Sequence, residues 1–339
     1  MSEGTLKVKN NADYDVTGMG SALLDLTVEV ESEVIDELGL PRCGMQLIEA
    51  DRSREIREII SSYSMEVTPG GSAANTVAGV ITLGGTGLFM GKVGADSDGD
   101  TYISETEKTG VVSGITRHDS ATGHAITFIT PDRERTFATH LGAALHFRDD
   151  DIDRDAIMRS RILHIEGYLF EPPELRRACM SAIKTAGENN TLVSVDLSDP
   201  GLIGRIHDTF VEVVRDHADI VFVNEEEAFA FTGKSGEDAL EILSGQCEFA
   251  AVKLGPAGSL ISTGGRVYRI MAAETEVVNT NGAGDMYAAG ALYSISRGLG
   301  PEQAGNIASY AASRVVSRVG ARVSGRIDAQ KVSQDLSLS

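Results

Sequence analysis

The segment NTNGAGDMYAAGALYSISRG, residues 279–298, is the most informative part of the sequence for both fold and function. After Gly282 the apolar residues recur at helical spacing, and Gly298 supplies the stop that a helix end favours. Gly282, Ala283 and Gly284 are therefore expected to form the first turn of a helix. Backbone N–H groups there lack acceptors within the helix, and small side chains let an anion approach. The segment predicts an anion-binding helix N-terminus.

Asp285 follows this turn directly. A carboxylate beside a phosphoryl-binding turn is placed to take the proton of an attacking hydroxyl group. An acidic residue in a first helical turn is also favoured by the helix dipole alone. The glycine motif by itself leaves both interpretations of Asp285 open.

Short β-rich runs alternate with helical segments through most of the chain. The runs lie at 88–94, 162–170, 191–198, 219–224 and 250–255. The helical segments carry apolar residues on one face, as at Ala73, Val77, Val80 and Ile81. This alternation predicts an α/β fold with a doubly wound, mainly parallel sheet sandwiched by helices.

Two stretches, 23–50 and 120–142, break the alternation. The second alternates around PDRER, residues 131–135, as an antiparallel hairpin does. Neither stretch can bury both faces within the main sheet, so we expect the two to form a small antiparallel β lid over one edge of the core. Residues 1–339 would then be a single domain whose lid shuts water out of a reacting site.

Charge and composition exclude several classes of protein. Of the 339 residues, 50 are acidic and 30 basic, which gives a formal net charge of -20. Because this field repels phosphate backbones and anionic lipids, nucleic acid and membrane are not expected partners. The three cysteines lack paired spacing, and no run reaches the ~18 apolar residues of a membrane span. The N-terminus has no apolar signal segment, so we expect a cytoplasmic protein.

Five motifs resemble those of the PfkB family of carbohydrate and nucleoside kinases, also called the ribokinase family. In chain order they are GMGSALLD (18–25), GGSAAN (70–75), NEEE (224–227), KLGPAG (253–258) and NTNGAGD (279–285). The resemblance implies a ribokinase-like fold and a phosphotransferase with an alcohol group as acceptor. It also implies that the enzyme uses ATP and Mg²⁺.

The resemblance assigns a role to each matching residue. Asp285 would be the base, Gly282, Ala283 and Gly284 would bind the oxyanion, and Arg135 of the lid, with Arg133 as the alternative, would counter charge on the transferring phosphoryl group. The residues assigned to the acceptor are Asp25, Gly70, Gly71, Ser72 and Asn75 for the sugar, and Gln46, Ile48, Leu141 and Tyr168 for a flat base. The residues assigned to the nucleotide are Asn224, Lys253, Gly255, Gly258 and Asn306, and those assigned to Mg²⁺ through water are Asn224 and Glu227.

Within the family, the chain resembles the adenosine-kinase branch. The segments concerned are TPDRERT (130–136), HLGA (140–143) and EGYLFEPP (166–173). They imply phosphorylation of the 5′-hydroxyl of a purine nucleoside, with adenosine first. The alternatives are a sugar kinase acting on ribose or a related furanose, a kinase that prefers inosine or guanosine, and a non-catalytic nucleoside-binding regulator. A monomer and a lid-mediated homodimer are both compatible with the sequence.

The start of the glycine motif departs from the family pattern. Where the family usually has Asp-Thr-Thr, this chain has Asn279, Thr280 and Asn281. In some relatives, carbonyls of the first and third positions and of the segment that matches Gly320–Ser324 bind a monovalent cation. The missing carboxylate leaves dependence on K⁺ open, while the anion site and the base are unaffected.

Overall fold

The computed structural model describes residues 4–318, 320–323, 325–329 and 332. Its strands are β1 (Tyr14–Met19), β2 (Leu23–Glu29), β3 (Met45–Leu47), β4 (Met65–Pro69), β5 (Gly87–Gly94), β6 (Val112–His118), β7 (Gly123–Ile129), β8 (Arg135–His140), β9 (Ser160–Glu166), β10 (Leu192–Asp196), β11 (Ile220–Asn224), β12 (Phe249–Lys253), β13 (Ser259–Thr263) and β14 (Arg266–Ile270).

The α-helices are α1 (Ser32–Glu37), α2 (Ala50–Ile60), α3 (Ser72–Thr82), α4 (Ser97–Lys108), α5 (Arg154–Met158), α6 (Pro173–Glu188), α7 (Pro200–Arg205), α8 (His207–Asp216), α9 (Glu225–Thr232), α10 (Gly236–Ser244), α11 (Ala283–Ser296) and α12 (Pro301–Val316). Short 3₁₀ helices span Gly142–His146, Asp149–Asp151, Gly167–Phe170 and Gly255–Ala257.

The main sheet has nine strands in the order β14-β13-β12-β11-β10-β9-β1-β5-β6. All neighbouring pairs from β12 to β6 are parallel, and only β13 and β14 join antiparallel at one edge. The predicted doubly wound parallel core is therefore confirmed. Four adjacent strands end at polar residues on the same edge of the sheet, namely Glu166, Asp196, Asn224 and Lys253. Carboxyl ends of parallel strands are where ligands bind in open α/β sheets.

Each face of the main sheet carries its own hydrophobic core. One core packs α3, α11 and α12 together with the inner face of the smaller sheet. The other packs α6, α8 and α10. Strand β11 serves both, because Phe222 points into the first core while Val221 and Val223 point into the second. None of the helices described is long and apolar enough to cross a membrane.

The lid is a five-stranded sheet with the order β3-β8-β7-β2-β4. The predicted hairpin is present as the antiparallel pair β7–β8, but β2–β7 and β3–β8 are parallel, so the sheet is mixed rather than antiparallel as expected. The reason is that β2 and β7 continue from β1 and β6, which run in the same direction in the main sheet. The lid also extends beyond the expected boundary at residue 50, because β4 returns antiparallel to β2 and ends at Pro69.

The glycine motif forms the predicted helix start. Helix α11 begins at Ala283, its N-cap Gly282 has a φ of 73°, and Gly298 follows the helix end with a φ of 68°. The motif at 18–25 spans parts of two strands. Strand β1 ends at Met19, and Asp25 lies in β2, within the lid sheet.

Helices α11 and α12 pack so closely at Gly290 that a side chain there is not tolerated. A Cβ built on Gly290 would lie 2.5 Å from the Ala308 Cα, which is backbone and cannot rotate away. We expect Gly290→Ala to lower the free energy of unfolding by about 1–3 kcal/mol, because the helices must separate. Urea denaturation measures this change.

The matched control for this substitution is Gly187→Ala in α6. A Cβ built on Gly187 would meet no atom of the described residues within 4 Å. Alanine should therefore leave stability unchanged or raise it by up to about 1 kcal/mol through helix propensity. Equal effects of the two substitutions would show that the α11–α12 contact is not tight.

Candidate active site

The carboxylate of Asp285 joins the starts of α3 and α11. The Ser72 hydroxyl donates to Asp285 Oδ1 at 2.7 Å, and Asn75 Nδ2 donates to Asp285 Oδ2 at 3.0 Å. Burial raises the pKa of the Asp285 carboxyl, while these two hydrogen bonds oppose the rise. Two residues assigned to the acceptor sugar and the residue assigned as base thus form one hydrogen-bonded cluster.

The N-terminus of α11 provides backbone donors beside this carboxylate. Gly282 is the N-cap residue, and among the described residues no side chain caps the amides of the first turn, so that turn is open. The Ala283 N–H, however, already donates to Thr280 O at 3.2 Å. The Ala283 amide is therefore engaged in this structure, while the assignment of Gly282, Ala283 and Gly284 to the oxyanion stays a prediction. The Asp285 amide belongs to the same open turn and is a further candidate donor.

Lys253 adds a positive charge at the same turn. Its Nζ lies 3.2 Å from where a Cβ on Gly284 would be and 2.9 Å from Asp196 Oδ2. Burial alone would lower the pKa of Lys253, but Asp196 and Glu227 outweigh it and raise that pKa, so the ammonium is charged. A backbone anion site flanked by a buried cation suits a phosphate group.

Asn224 and Glu227 form a capping box at the start of α9. Glu227 Oε2 accepts from Asn224 N at 2.6 Å, Glu227 Oε1 accepts from Asn224 Nδ2 at 2.7 Å, and Asn224 Oδ1 accepts from Glu227 N at 2.8 Å. Burial raises the pKa of Glu227 to about 7. A buried carboxylate beside Asp196 fits a hard cation that arrives with a nucleotide, and because Glu227 already has two donors, contact through water fits better than direct binding.

The first glycine motif lies against Asp25 of the lid. A Cβ on Gly70 would be 2.5 Å from the Asp25 Cγ, and one on Gly71 would be 2.1 Å from Ser21 O. Gly71 also has a φ of 92°, a conformation that favours glycine. Burial raises the pKa of Asp25 to about 6, opposed by the charge of Arg322. Only glycines allow backbone and carboxylate to meet this closely.

Arg135 connects the lid to the core. Its Nη1 donates to Oδ1 of Asn279, a buried residue in the loop before α11. Arg133 instead lies exposed in the hairpin turn with a φ of 65°. The structure therefore brings Arg135 to the glycine motif and leaves Arg133 in solvent.

The four residues assigned to a flat base lie on two different parts of the fold. Gln46 is in β3, Ile48 and Leu141 follow β3 and β8, and the His140 ring contacts Ile48 O at 3.1 Å. Tyr168 lies in the 3₁₀ helix after β9 and is 43% exposed. Ile48 is buried and packs against its neighbours, whereas Gln46 is exposed to solvent.

Of the remaining nucleotide assignments, Gly255 and Gly258 lie just after β12 and Asn306 lies in α12. Gly255 opens the 3₁₀ turn that joins β12 to β13, and Gly258 closes it with its Cα facing Ile270 O. Asn306 is half-buried in α12. Of the segment implied in cation binding, Ser324 lies outside the described residues, while Gly320 O accepts a long 3.5 Å hydrogen bond from Asn279 Nδ2.

Three residues of the site were missed by sequence reasoning. Glu166 accepts from the amides of Ser21 at 2.8 Å and Ala73 at 3.1 Å, and so holds both glycine-rich segments. Asp196 pairs with Lys253, as described above. Arg322 Nε donates to Asn75 Oδ1 at 2.8 Å. The first two lie within predicted β-rich runs and end β9 and β10, which was an available signal. Arg322 lies in the segment compared with cation-binding carbonyls, where nothing in the sequence indicated a role for its side chain.

Comparisons with known proteins agree with this fold. A solved adenosine kinase from Sinorhizobium meliloti is 32% identical, with a TM-score of 0.85 over 96% of this chain and 100% of that one. A solved probable sugar kinase from Rhizobium etli is 29% identical, with a TM-score of 0.86 over 97% of this chain and 100% of that one. The adenosine kinase of Dictyostelium discoideum is 28% identical over 303 residues, 82% of this chain and 87% of its own.

The pfkB family carbohydrate kinase model matches residues 42–327. That range includes the acceptor motif around Gly70, the strand ends of the main sheet and the glycine motif with Asp285. The five motifs, the sheet order and these matches lead to one conclusion: this chain belongs to the PfkB family of carbohydrate kinases.

Proposed function

We propose that this chain transfers the γ-phosphoryl group of ATP to the 5′-hydroxyl of a purine nucleoside, with adenosine as the favoured acceptor. One observation carries the proposal: Ser72 and Asn75 donate directly to Asp285. The motif assigned to the sugar and the proposed general base, Asp285, are thereby held together by hydrogen bonds. A hydroxyl bound at this motif would lie beside the carboxylate, as proton abstraction requires. Conversion of adenosine to AMP in the cytoplasm would be a purine-salvage reaction.

The proposed reaction is an in-line displacement. The 5′-hydroxyl loses its proton to the Asp285 carboxylate while its oxygen forms a bond to the γ-phosphorus. The bond from that phosphorus to the β-phosphate oxygen breaks, and ADP leaves with the electron pair. The amides of Gly284 and Asp285, with Lys253, would stabilise the charge on the phosphoryl oxygens.

Mg²⁺ would neutralise charge on the ATP phosphates when bound with the nucleotide. Glu227 and Asn224 would hold it through water, because both oxygens of Glu227 already accept hydrogen bonds from Asn224. Lys253 is near enough to balance the two acidic side chains at this edge, Asp196 and Glu227. The residues present thus fit a divalent cation that arrives with the nucleotide.

Replacement of Asp285, the proposed general base, tests the proton-transfer step. We expect Asp285→Asn to lower kcat by at least ~10²-fold, the low end for losing a general base, with the Kd of the nucleoside nearly kept. The amide keeps the size of the side chain but cannot take the proton. Steady-state kinetics and isothermal titration with adenosine measure the two quantities, and near-normal turnover would remove Asp285 from the mechanism.

Replacement of the lid arginine tests closure over the phosphoryl group. We expect Arg135→Ala to lower kcat by about tenfold, less than the loss of the base, without loss of nucleoside binding. Arg133→Ala is the matched control, because Arg133 is exposed in the turn just before β8. An unchanged kcat for Arg135→Ala, or equal losses in both variants, would return Arg135 to a structural role at the start of β8.

The acceptor is tested by one coupled assay that follows ADP release. Adenosine, inosine, guanosine, ribose and fructose phosphates are offered separately at equal concentration with ATP and Mg²⁺. We expect the highest kcat/KM for adenosine. A preference for a furanose sugar would contradict the nucleoside assignment and favour a sugar kinase, as one of the similar structures is described.

The same assay separates the remaining alternatives. A preference for inosine or guanosine would keep the sugar site and change only the contacts to the base. Adenosine that raises the melting temperature together with ATP, but releases no ADP, would indicate a nucleoside-binding regulator. The assay therefore tests phosphoryl transfer and the identity of the acceptor separately.

A further inference from the structure

Residues 320–323 lie against both halves of the candidate active site. On one side, a Cβ built on Gly282 would be 2.4 Å from Ala321 O, so this segment is packed against the start of α11. On the other side, Arg322 extends toward α3, where its Nε donates to Asn75 Oδ1 at 2.8 Å. The segment therefore contacts the anion-binding turn and the acceptor motif at once.

The hydrogen bond from Arg322 determines which way the Asn75 amide points. A guanidinium group only donates, so it must take the amide oxygen. The amide nitrogen is then directed to Asp285 Oδ2, to which it donates at 3.0 Å. If the amide turned by 180°, its oxygen would face the carboxylate and repel it. Arg322 thus acts on Asp285 through Asn75.

The charges around Asp285 give Arg322 a second effect. Several ionisable groups interact electrostatically with this carboxylate. The acidic ones are Asp25, Glu166 and Asp196, and the basic ones are Lys253 and Arg322. Three negative charges oppose ionisation of Asp285, so each of the two positive charges matters to it.

The guanidinium group itself is enclosed. Both Nη1 and Nη2 of Arg322 are fully buried, and the guanidinium interacts with the Tyr102 side chain. Burial lowers the pKa of Arg322, while Tyr102, Asp25 and Asp285 raise it. The guanidinium is therefore held among protein groups beside the motif assigned to the acceptor.

We propose that Arg322 is a positioning residue for Asp285: it orients the Asn75 amide and supplies the nearby positive charge that favours the carboxylate form of the base. The proposal rests on the proposed role of Asp285 as the base. It requires no contact between Arg322 and the acceptor or the nucleotide.

Arg322→Met tests the proposal because it keeps much of the buried stem but removes the donor and the charge. We expect kcat at neutral pH to fall by about tenfold or more, with a much smaller change in the KM of the acceptor. Activity rises with pH as the base loses its proton. Without the positive charge the pKa of Asp285 increases, so this rise should move to higher pH by about one unit.

Two further substitutions separate the two effects. Arg322→Gln keeps an amide donor but not the charge, so part of the rate should return while the pH profile stays displaced. Arg322→Lys keeps the charge and a donor, so both should return toward the wild type. Arg326→Met is the matched control. Arg326 is exposed and close to Arg322 in the sequence, and its replacement changes the net charge by the same amount. It should leave both measurements unchanged.

The result that overturns the proposal is a wild-type pH profile in Arg322→Met, whether kcat is unchanged or reduced by the same factor at every pH. The melting temperature of each variant identifies a folding defect. If Arg322→Met does not fold, Arg322→Gln decides: an undisplaced profile overturns the proposal, and a displaced one supports it.

A measurement without substrate keeps this test independent of the proposed acceptor. The pKa of Asp285 is followed by ¹³C NMR of Asp-labelled protein, with the resonance assigned from its absence in Asp285→Asn. A higher pKa in Arg322→Met than in the wild type is expected, and an equal value overturns the proposal. Failure of the proposed function is a different result, namely a wild type that phosphorylates no purine nucleoside.

Discussion

The structure of the site depends on one constraint: the Asp285 carboxylate must be held where two helix N-termini meet. Ser72 and Asn75 at the start of α3 donate to both of its oxygens, and the residue itself opens α11. The helices therefore cannot shift independently without breaking these hydrogen bonds. Since α3 carries the motif assigned to the acceptor and α11 the proposed anion site, this contact would also set the distance between the two proposed substrates.

Charge at the carboxyl edge of the main sheet is balanced within a small region. Glu166 is satisfied by two backbone amides, and Asp196 is paired with Lys253 at 2.9 Å. Glu227 lies within the capping box of α9, where burial raises its pKa to about 7. In the proposed reaction, a site this rich in carboxylates would bind phosphates because backbone donors, one lysine and an incoming cation offset the negative charge.

Sequence periodicity predicted the elements that local chemistry controls. The buried strands, the hairpin after β7 and the helix start at Gly282 follow from alternation and glycine placement alone. The parallel pairing in the lid did not, because it depends on the direction in which β2 and β7 leave the main sheet. The contact of Arg322 with Asn75 joins positions 247 residues apart and has no local signal, so it appears only in three dimensions.

The lid arginine illustrates why Asn at position 279 matters to the proposed reaction. Arg135 donates to Asn279 Oδ1, so the closed lid is held by a hydrogen bond to a neutral group. A carboxylate in that position would form a charge-assisted pair, which is about twice as strong. For Arg135 to reach a transferring phosphoryl group it must leave this partner, and the free energy of leaving a neutral amide is smaller than that of leaving an anion. In the proposed reaction, asparagine at position 279 would therefore make it easier for the Arg135 guanidinium to move to the phosphoryl group.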